Sequence, residues 1–238
     1  MDYSKVLIII PTYNEAKNVA KLIGDLNKLY SGLHILVVDD TSPDGTYKVV
    51  QALSSDTIHL LLKKGKEGLG RAYVSGFNWA LAQNKFETVI SMDCDFSHAP
   101  AQVIDLLNES KSNEVVVGSR YVNSRVRIVN WPMKRLILSK LAAWYSRFWT
   151  WLPVTDPTAG FNCYDINYLK RLNLNTIRSN GYCFQVEMKF KLFKLGAKLK
   201  EVPITFVERE NGKSKLSKKI VYEAIIQIPL LRLKSLFS

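Results

Sequence analysis

The chain alternates between unbroken apolar runs and segments whose apolar residues recur every three or four positions. The runs are KVLIII, LHILVVDD, TIHLLLKK, ETVISMD and EVVVGSR. Between the first two, Val19, Leu22, Ile23, Leu26 and Leu29 mark one face of a helix from Glu15 to Tyr30. Further helices are predicted from about Asp44 to Leu53, from Arg71 to Gln83 and from Ala101 to Ser110. Continuous apolar strands separated by amphipathic helices predict an α/β fold, a Rossmann-like and mostly parallel sheet with helices on both faces. Ligands in such sheets bind outside the carboxyl ends of the strands. Those ends read PTYNE, Asp39-Asp40, Asp93-Cys94-Asp95 and Gly118-Ser119-Arg120-Tyr121. All are polar, and the fold would gather them into one crevice.

Beyond Tyr121 the pattern changes. Val115 to Thr155 holds seven basic residues (Arg120, Arg125, Arg127, Lys134, Arg135, Lys140, Arg147), no acidic one, and four of the five tryptophans in or near it. Leu136, Leu141, Trp144, Phe148 and Trp151 recur at helical spacing. A basic helix with an aromatic face, over about 131–151, predicts a segment lying in a membrane interface; an ordinary core helix with solvated lysines is the competing reading. The C-terminal IVYEAIIQIPLLRLKSLF is apolar too, but Glu223, Arg232 and Lys234 interrupt it and Pro229 should kink it. No uninterrupted apolar run approaches the roughly 20 residues of a spanning helix. The chain divides into a catalytic domain over 1–216, which includes the interface helix, and a C-terminal amphipathic helix over 217–238.

With 238 residues, 47% apolar and 23% charged, the composition is that of a soluble protein, but the net charge of +12 asks for an anionic partner. Nucleic acid, an acidic membrane surface and phosphorylated substrates all qualify. Cys94, Cys163 and Cys183 form no spaced cluster, which argues against a metal knuckle or a disulfide framework and for reduced thiols in a cytosolic compartment. The N-terminus opens straight into a strand, so no signal peptide is expected.

Two carboxylates one residue apart at a strand mouth repel each other and pay to leave water. A hard divalent cation, Mg²⁺ or Mn²⁺, resolves this by taking carboxylate and phosphate oxygens together. A pair of turn or capping aspartates is the plainer alternative, and Asp-x-Asp alone is weak. A second acidic strand end, VVDDTSPDG, strengthens the metal reading: its Ser-Pro-Asp-Gly turn can cap the next helix, and Asp40 is placed to accept hydrogen bonds from a nucleobase or ribose. GLGRAY is not a dinucleotide fingerprint, because Tyr73 stands at the third glycine position.

PTYNE, VVDDTSPDG, GLGRAY, MDCDFSH and GSRY, in that order and spacing, resemble the family-2 glycosyltransferases of GT-A fold. KRLILSKLA, TDPTAGFNCY, GYCFQVEM and EVPITFVERENGKSKL narrow the resemblance to dolichol- or polyprenol-phosphate mannose synthases, in a form without transmembrane helices. The resemblance spans Val6 to about Leu216. It implies that Pro11, Tyr13, Glu15, Val38, Asp40 and Cys94 bind the nucleotide sugar and that Asp93 and Asp95 hold metal and diphosphate. Ser97 stands where some relatives use a Gln ligand. Arg120 and Arg135, with Ser139, fall near the sugar and the lipid phosphate, and Arg209 and Lys215 match the basic pair of a loop closing over the phosphates. An Arg fork suits bidentate phosphate contact, and Gly212 frees that loop's backbone.

A lipid monophosphate arrives as an anion, its second pKa being about 6, and needs no general base. His98 is expected to be structural and His34 and His59 to lie inside strands; Glu187 is the one candidate base, and its place in CFQVEMKF fits a helix residue paired to a nearby Arg at least as well. The resemblance implies an inverting, single-displacement transfer of mannose from GDP-mannose to a polyprenyl or dolichyl phosphate. It also implies a cytoplasmic, peripheral location on an anionic membrane surface, held directly or by a small anchoring subunit, with no nucleic-acid partner. The same fold using UDP-glucose is the nearest alternative. A non-catalytic binder of nucleic acid or anionic lipid is the distant one, and acidic strand ends argue against it.

Overall fold

A computed structural model describes residues 2–122, 126–177, 179–208 and 218–235. Its sheet contains β1 (Val6–Thr12), β2 (His34–Asp39), β3 (Ile58–Leu62), β4 (Thr88–Ser91), β5 (Val115–Ser119), β7 (Asn162–Asp165) and β8 (Leu199–Pro203), in the order β3-β2-β1-β4-β7-β5-β8. All neighbours pair in parallel except β7, which runs antiparallel between β4 and β5. Two short strands, β6 (Ile128–Val129) and β9 (Phe206–Val207), pair separately.

Because side chains alternate along a strand, β1 feeds two cores. Leu7 and Ile9 join one core with residues of α3 (Leu69–Gln83), α6 (Ile166–Arg171) and α7 (Gly181–Lys194). Ile8 and Ile10 join the other, with α1 (Val19–Leu29), α2 (Thr46–Ala52) and α4 (Val103–Glu109). At Gly76 a Cβ would lie 2.7 Å from Ile9 Cγ2, so only glycine lets α3 settle this close to the sheet.

The α/β expectation holds, with two corrections. β4 stops at Ser91, so Asp93 and Asp95 stand on a turn and not on a strand face. The antiparallel β7 has no counterpart in the expected pattern; with four residues starting at Asn162 it shows neither an apolar run nor clear alternation.

α5 (Met133–Thr150) is amphipathic the wrong way round for a core helix. Its buried residues are Ala143, Ser146 and Thr150, while Trp144, Phe148 and the capping Trp151 are 64%, 59% and 69% exposed. α8 (Lys218–Lys234) continues through Pro229 and packs on α5 and α7. It is held by Tyr145 Oη donating to the Ile225 carbonyl at 2.7 Å and by the Asn180 amide donating to Glu223 at 2.9 Å. Among the described residues no helix is long and apolar enough to cross a membrane.

Candidate active site

The ends of β1 and β2 are knitted by carboxylates and hydroxyls. Asp39, fully buried, accepts from Thr12 Oγ1, Ser42 Oγ and the Ser42 amide, each at 2.7 Å. The Asn14 and Glu15 amides donate to Ser42 Oγ and Thr46 Oγ1 at 3.0 and 2.9 Å, which fastens the PTYNE loop to the next strand end. Asp40 Oδ2 accepts from the Glu67 and Gly68 amides at 3.1 and 3.0 Å, while its Oδ1 is buried and has no partner among the described residues. Burial pushes the Asp40 carboxyl above its ordinary range, and those two amides oppose the shift. The Lys66 ammonium lies 3.9 Å from the centre of the Tyr13 ring.

Asp93, Cys94 and Asp95 form a tight turn in which Phe96 takes a left-handed backbone, φ 59°. Asn14 and Thr41, at the ends of β1 and β2, do the same at 61° and 53°. Non-glycine residues in this region are sparse and strained, and they cluster at functional sites. Tyr73 Oη donates to Asp93 Oδ1 at 3.4 Å from beneath, and the Ser97 amide donates to Asp95 Oδ1 at 3.1 Å. His98 is buried and stacked on Phe161; burial holds its imidazole below the ordinary value, so it is neutral, which fits a structural role.

These strand ends line a crevice of about 360 Å³ together with Pro11, Tyr13, Glu15, Asp40, Lys66, Asp93, Cys94, Asp95, Arg120, Arg135 and residues 158–160 and 180–182. Four of the seven buried side-chain atoms that lack a partner among the described residues belong to this lining: Asp40 Oδ1, Trp131 Nε1, Asn180 Oδ1 and Gln185 Nε2. Buried polar atoms are normally paired, so such a concentration marks a place prepared for a polar ligand.

Arg120 lines the crevice, and its guanidinium already has a partner. The fork grips Asp156, with Nε to Oδ2 and Nη2 to Oδ1 both at 2.7 Å, and Nη2 also donates to Thr158 at 3.0 Å. Burial works against both charges, but each holds the other ionised, so Arg120 is pushed up and Asp156 down. Arg135 is stacked on Trp131, 4.0 Å from the ring centre, and paired with Glu208 at 2.5 Å. Ser139 accepts a hydrogen bond from Tyr121 Oη at 2.9 Å.

Ser139 lines a second space, an apolar groove of about 240 Å³ between α5, α7 and α8. Trp131, Arg135, Thr158 and Tyr182 border both crevice and groove, so a space lined with charged side chains adjoins a hydrocarbon-lined one.

Of the residues expected in the site, Pro11, Tyr13, Glu15, Asp40, Asp93, Cys94, Asp95, Arg120 and Arg135 share the crevice, and Ser139 lies in the groove. Val38 packs in the core under α3, and Ser97 is buried behind the Asp93–Asp95 turn, outside the crevice lining. Arg209 and Lys215 lie outside the described residues. Glu187 accepts from the Ser179 amide and, among the described residues, pairs with Lys191 at 2.8 Å; it is not among the residues lining the crevice. Tyr73, Lys66, Trp131, Asp156 and Gln185 carry parts of the site that no reading of single residues identified. Tyr73, Asp156 and Gln185 stand in GLGRAY, TDPTAGFNCY and GYCFQVEM, segments distinctive as strings but without chemistry assigned to each residue.

A Rossmann-like sheet with an acidic turn at its carboxyl edge, opening on a polar crevice, is the architecture of a GT-A glycosyltransferase. Glucosyl-3-phosphoglycerate synthase from Mycobacterium tuberculosis, solved with Mn²⁺, UDP-glucose and phosphoglyceric acid, shares this fold. It superposes with a TM-score of 0.69 over 98% of this chain and 81% of that one, at 17% identity. The family model for glycosyl transferase family 2 matches residues 7–170. An undecaprenyl-phosphate mannosyltransferase from Micrococcus luteus is 42% identical over 94% of this chain and 92% of its own. A polyprenol monophosphomannose synthase from Mycolicibacterium smegmatis is 40% identical over 94% and 85%. The chain belongs to glycosyl transferase family 2 and is a glycosyltransferase.

Proposed function

We propose that the protein transfers mannose from GDP-mannose to the phosphate of a polyprenyl, dolichyl-type monophosphate, with inversion at the anomeric carbon. The observation that carries this reading is the junction of the two spaces at Trp131, Arg135, Thr158 and Tyr182. Only an acceptor with a charged head and a hydrocarbon tail uses both. The names of the relatives supply the sugar and the lipid class.

A divalent cation fits the acidic turn: Asp93 and Asp95 supply hard oxygens to the crevice, and the donor's phosphates would complete the shell, because no group of three acidic or thiol or imidazole ligands exists among the described residues. When bound, Mg²⁺ or Mn²⁺ neutralises the charge that grows on the departing diphosphate. The chain does the rest. Asp40 holds the nucleoside end with Oδ1, the oxygen that has no partner among the described residues. Arg135 draws the acceptor phosphate to the mouth of the groove. An oxygen of that phosphate attacks the anomeric carbon as the bond to the nucleoside diphosphate breaks, and the electron pair leaves with the diphosphate. No proton needs abstracting, which agrees with a His98 packed on Phe161 and a Glu187 that is not among the residues lining the crevice. Arg209 and Lys215 then add charge over the phosphates.

The exposed aromatic face of α5, with Lys134, Lys140 and Arg147 around it, and the apolar residues of α8 rest on an anionic membrane at its cytoplasmic face. The test is a transfer assay with purified protein, Mg²⁺ or Mn²⁺ and a short polyprenyl phosphate, with GDP-mannose and UDP-glucose compared. Metal-dependent mannosyl lipid is expected, and Asp95→Ala should lower the rate by about 100-fold or more. Transfer from UDP-glucose alone would overturn the sugar, and no lipid product from either donor would overturn the acceptor.

A further inference from the structure

Lys189, in the middle of α7, is fully shielded from solvent. Its ammonium donates to three backbone carbonyls, Ala159 at 2.7 Å, Pro157 at 3.2 Å and Gln185 at 3.4 Å. Among the described residues it forms no ion pair within 4.0 Å; the charges facing it are Asp156, Arg120 and Glu201. A methionine would fill the same volume without desolvating a charge, so packing alone does not account for a lysine here.

Two of the three carbonyls belong to the Asp156–Ala159 turn, which closes through the Ala159 amide and the Asp156 carbonyl at 3.2 Å. This turn presents Asp156 and Thr158 to Arg120, and Thr158, Ala159 and Gly160 form part of the crevice wall. A Cβ at Gly160 would lie 3.7 Å from Asp93 Oδ2, so this wall lies close against the acidic turn, and both line the crevice.

We propose that Lys189 is a positioning residue for the transfer reaction, clamping the Asp156–Gly160 turn from beneath so that the crevice wall and Arg120 keep their place as the substrates bind. The inference rests on the function proposed above. An ammonium has three N–H groups for three carbonyls, whereas a neutral amine has two. Burial brings the Lys189 pKa down to about 7, with Asp156 opposing the shift and Arg120 adding to it. The clamp is therefore complete below that value and short of one donor above it.

The test uses the full chain and Lys189→Met. Hydrogen exchange, corrected for intrinsic pH dependence, is followed across 156–162 from pH 6 to 9, beside steady-state transfer kinetics. In the variant, exchange should quicken and kcat fall by about tenfold while KM for the nucleotide sugar stays within about twofold. Wild-type kcat/KM should fall above pH 7 with a limb that the variant lacks, since that ratio reports the free enzyme. A variant with wild-type exchange and kcat overturns the proposal. So does a wild type whose exchange across the turn and kcat/KM are both level from pH 6 to 9, a result that stands even if the variant fails to fold. A wild type that transfers nothing strikes the proposed function instead, and the exchange comparison still decides the clamp.

Discussion

Asp156 shows how little room a buried charge has. It is wholly buried, accepts two bonds from the Arg120 fork and one from the Arg120 amide, and its own turn is tied to Glu201 through the Thr155 and Asp156 amides. Removing one partner strands the other in a medium that cannot solvate it. Asp156→Asn should cost about 3–5 kcal/mol in urea denaturation, and Asp156→Asn with Arg120→Met should recover part of that loss. The pH dependence has a definite sign. Burial would raise the Asp156 carboxyl, but Arg120 holds it below the ordinary value. Its contribution to stability is thus complete above the ordinary carboxylate range and disappears as pH falls through the depressed folded value. Urea midpoints measured from pH 6 down to 3 should fall more steeply for wild type than for Asp156→Asn.

Among the elements, α5 separates two readings that its sequence leaves open. A core helix would bury Trp144, Phe148 and Trp151 and expose its small and polar residues; α5 does the reverse. Trp144 and Phe148 stack at 5.7 Å, and Arg232 of α8 lies 4.1 Å from the Trp151 ring, so the two helices share one aromatic and basic surface. Because these side chains support no core, replacing all three by alanine should change unfolding stability by no more than about 0.5 kcal/mol per site. Binding to vesicles containing anionic lipid should drop in sedimentation. Activity on membrane-embedded acceptor should fall with it, while activity on a short, water-soluble polyprenyl phosphate persists.

Across the whole molecule, the net charge of +12 coexists with an acidic turn at the sheet's edge. The excess is carried in part by α5, where Lys134, Lys140 and Arg147 are exposed, and the crevice keeps Asp40, Asp93 and Asp95 among its cations. Attraction of the exposed set to anionic lipid is screened as the Debye length shrinks from about 10 Å at 0.1 M to about 3 Å at 1 M salt. Raising salt over this range should release the protein from anionic vesicles. Turnover of a soluble acceptor should fall less, because the charges inside the crevice are shielded from salt.

The sheet, its helices and the acidic strand ends were legible in the sequence because buried parallel strands must be apolar throughout and their helices must carry one apolar stripe. The ordered motifs likewise made the family legible. Tertiary structure alone decided the partners. Whether Arg120 faces a phosphate or Asp156 depends on a turn 36 residues away in the chain. Whether α5 turns its tryptophans inward depends on what packs against it, and whether Lys189 reaches solvent depends on the carbonyls above it. Periodicity reports which way a side chain points relative to its own element; desolvation and pairing are set by whatever the fold brings to meet it.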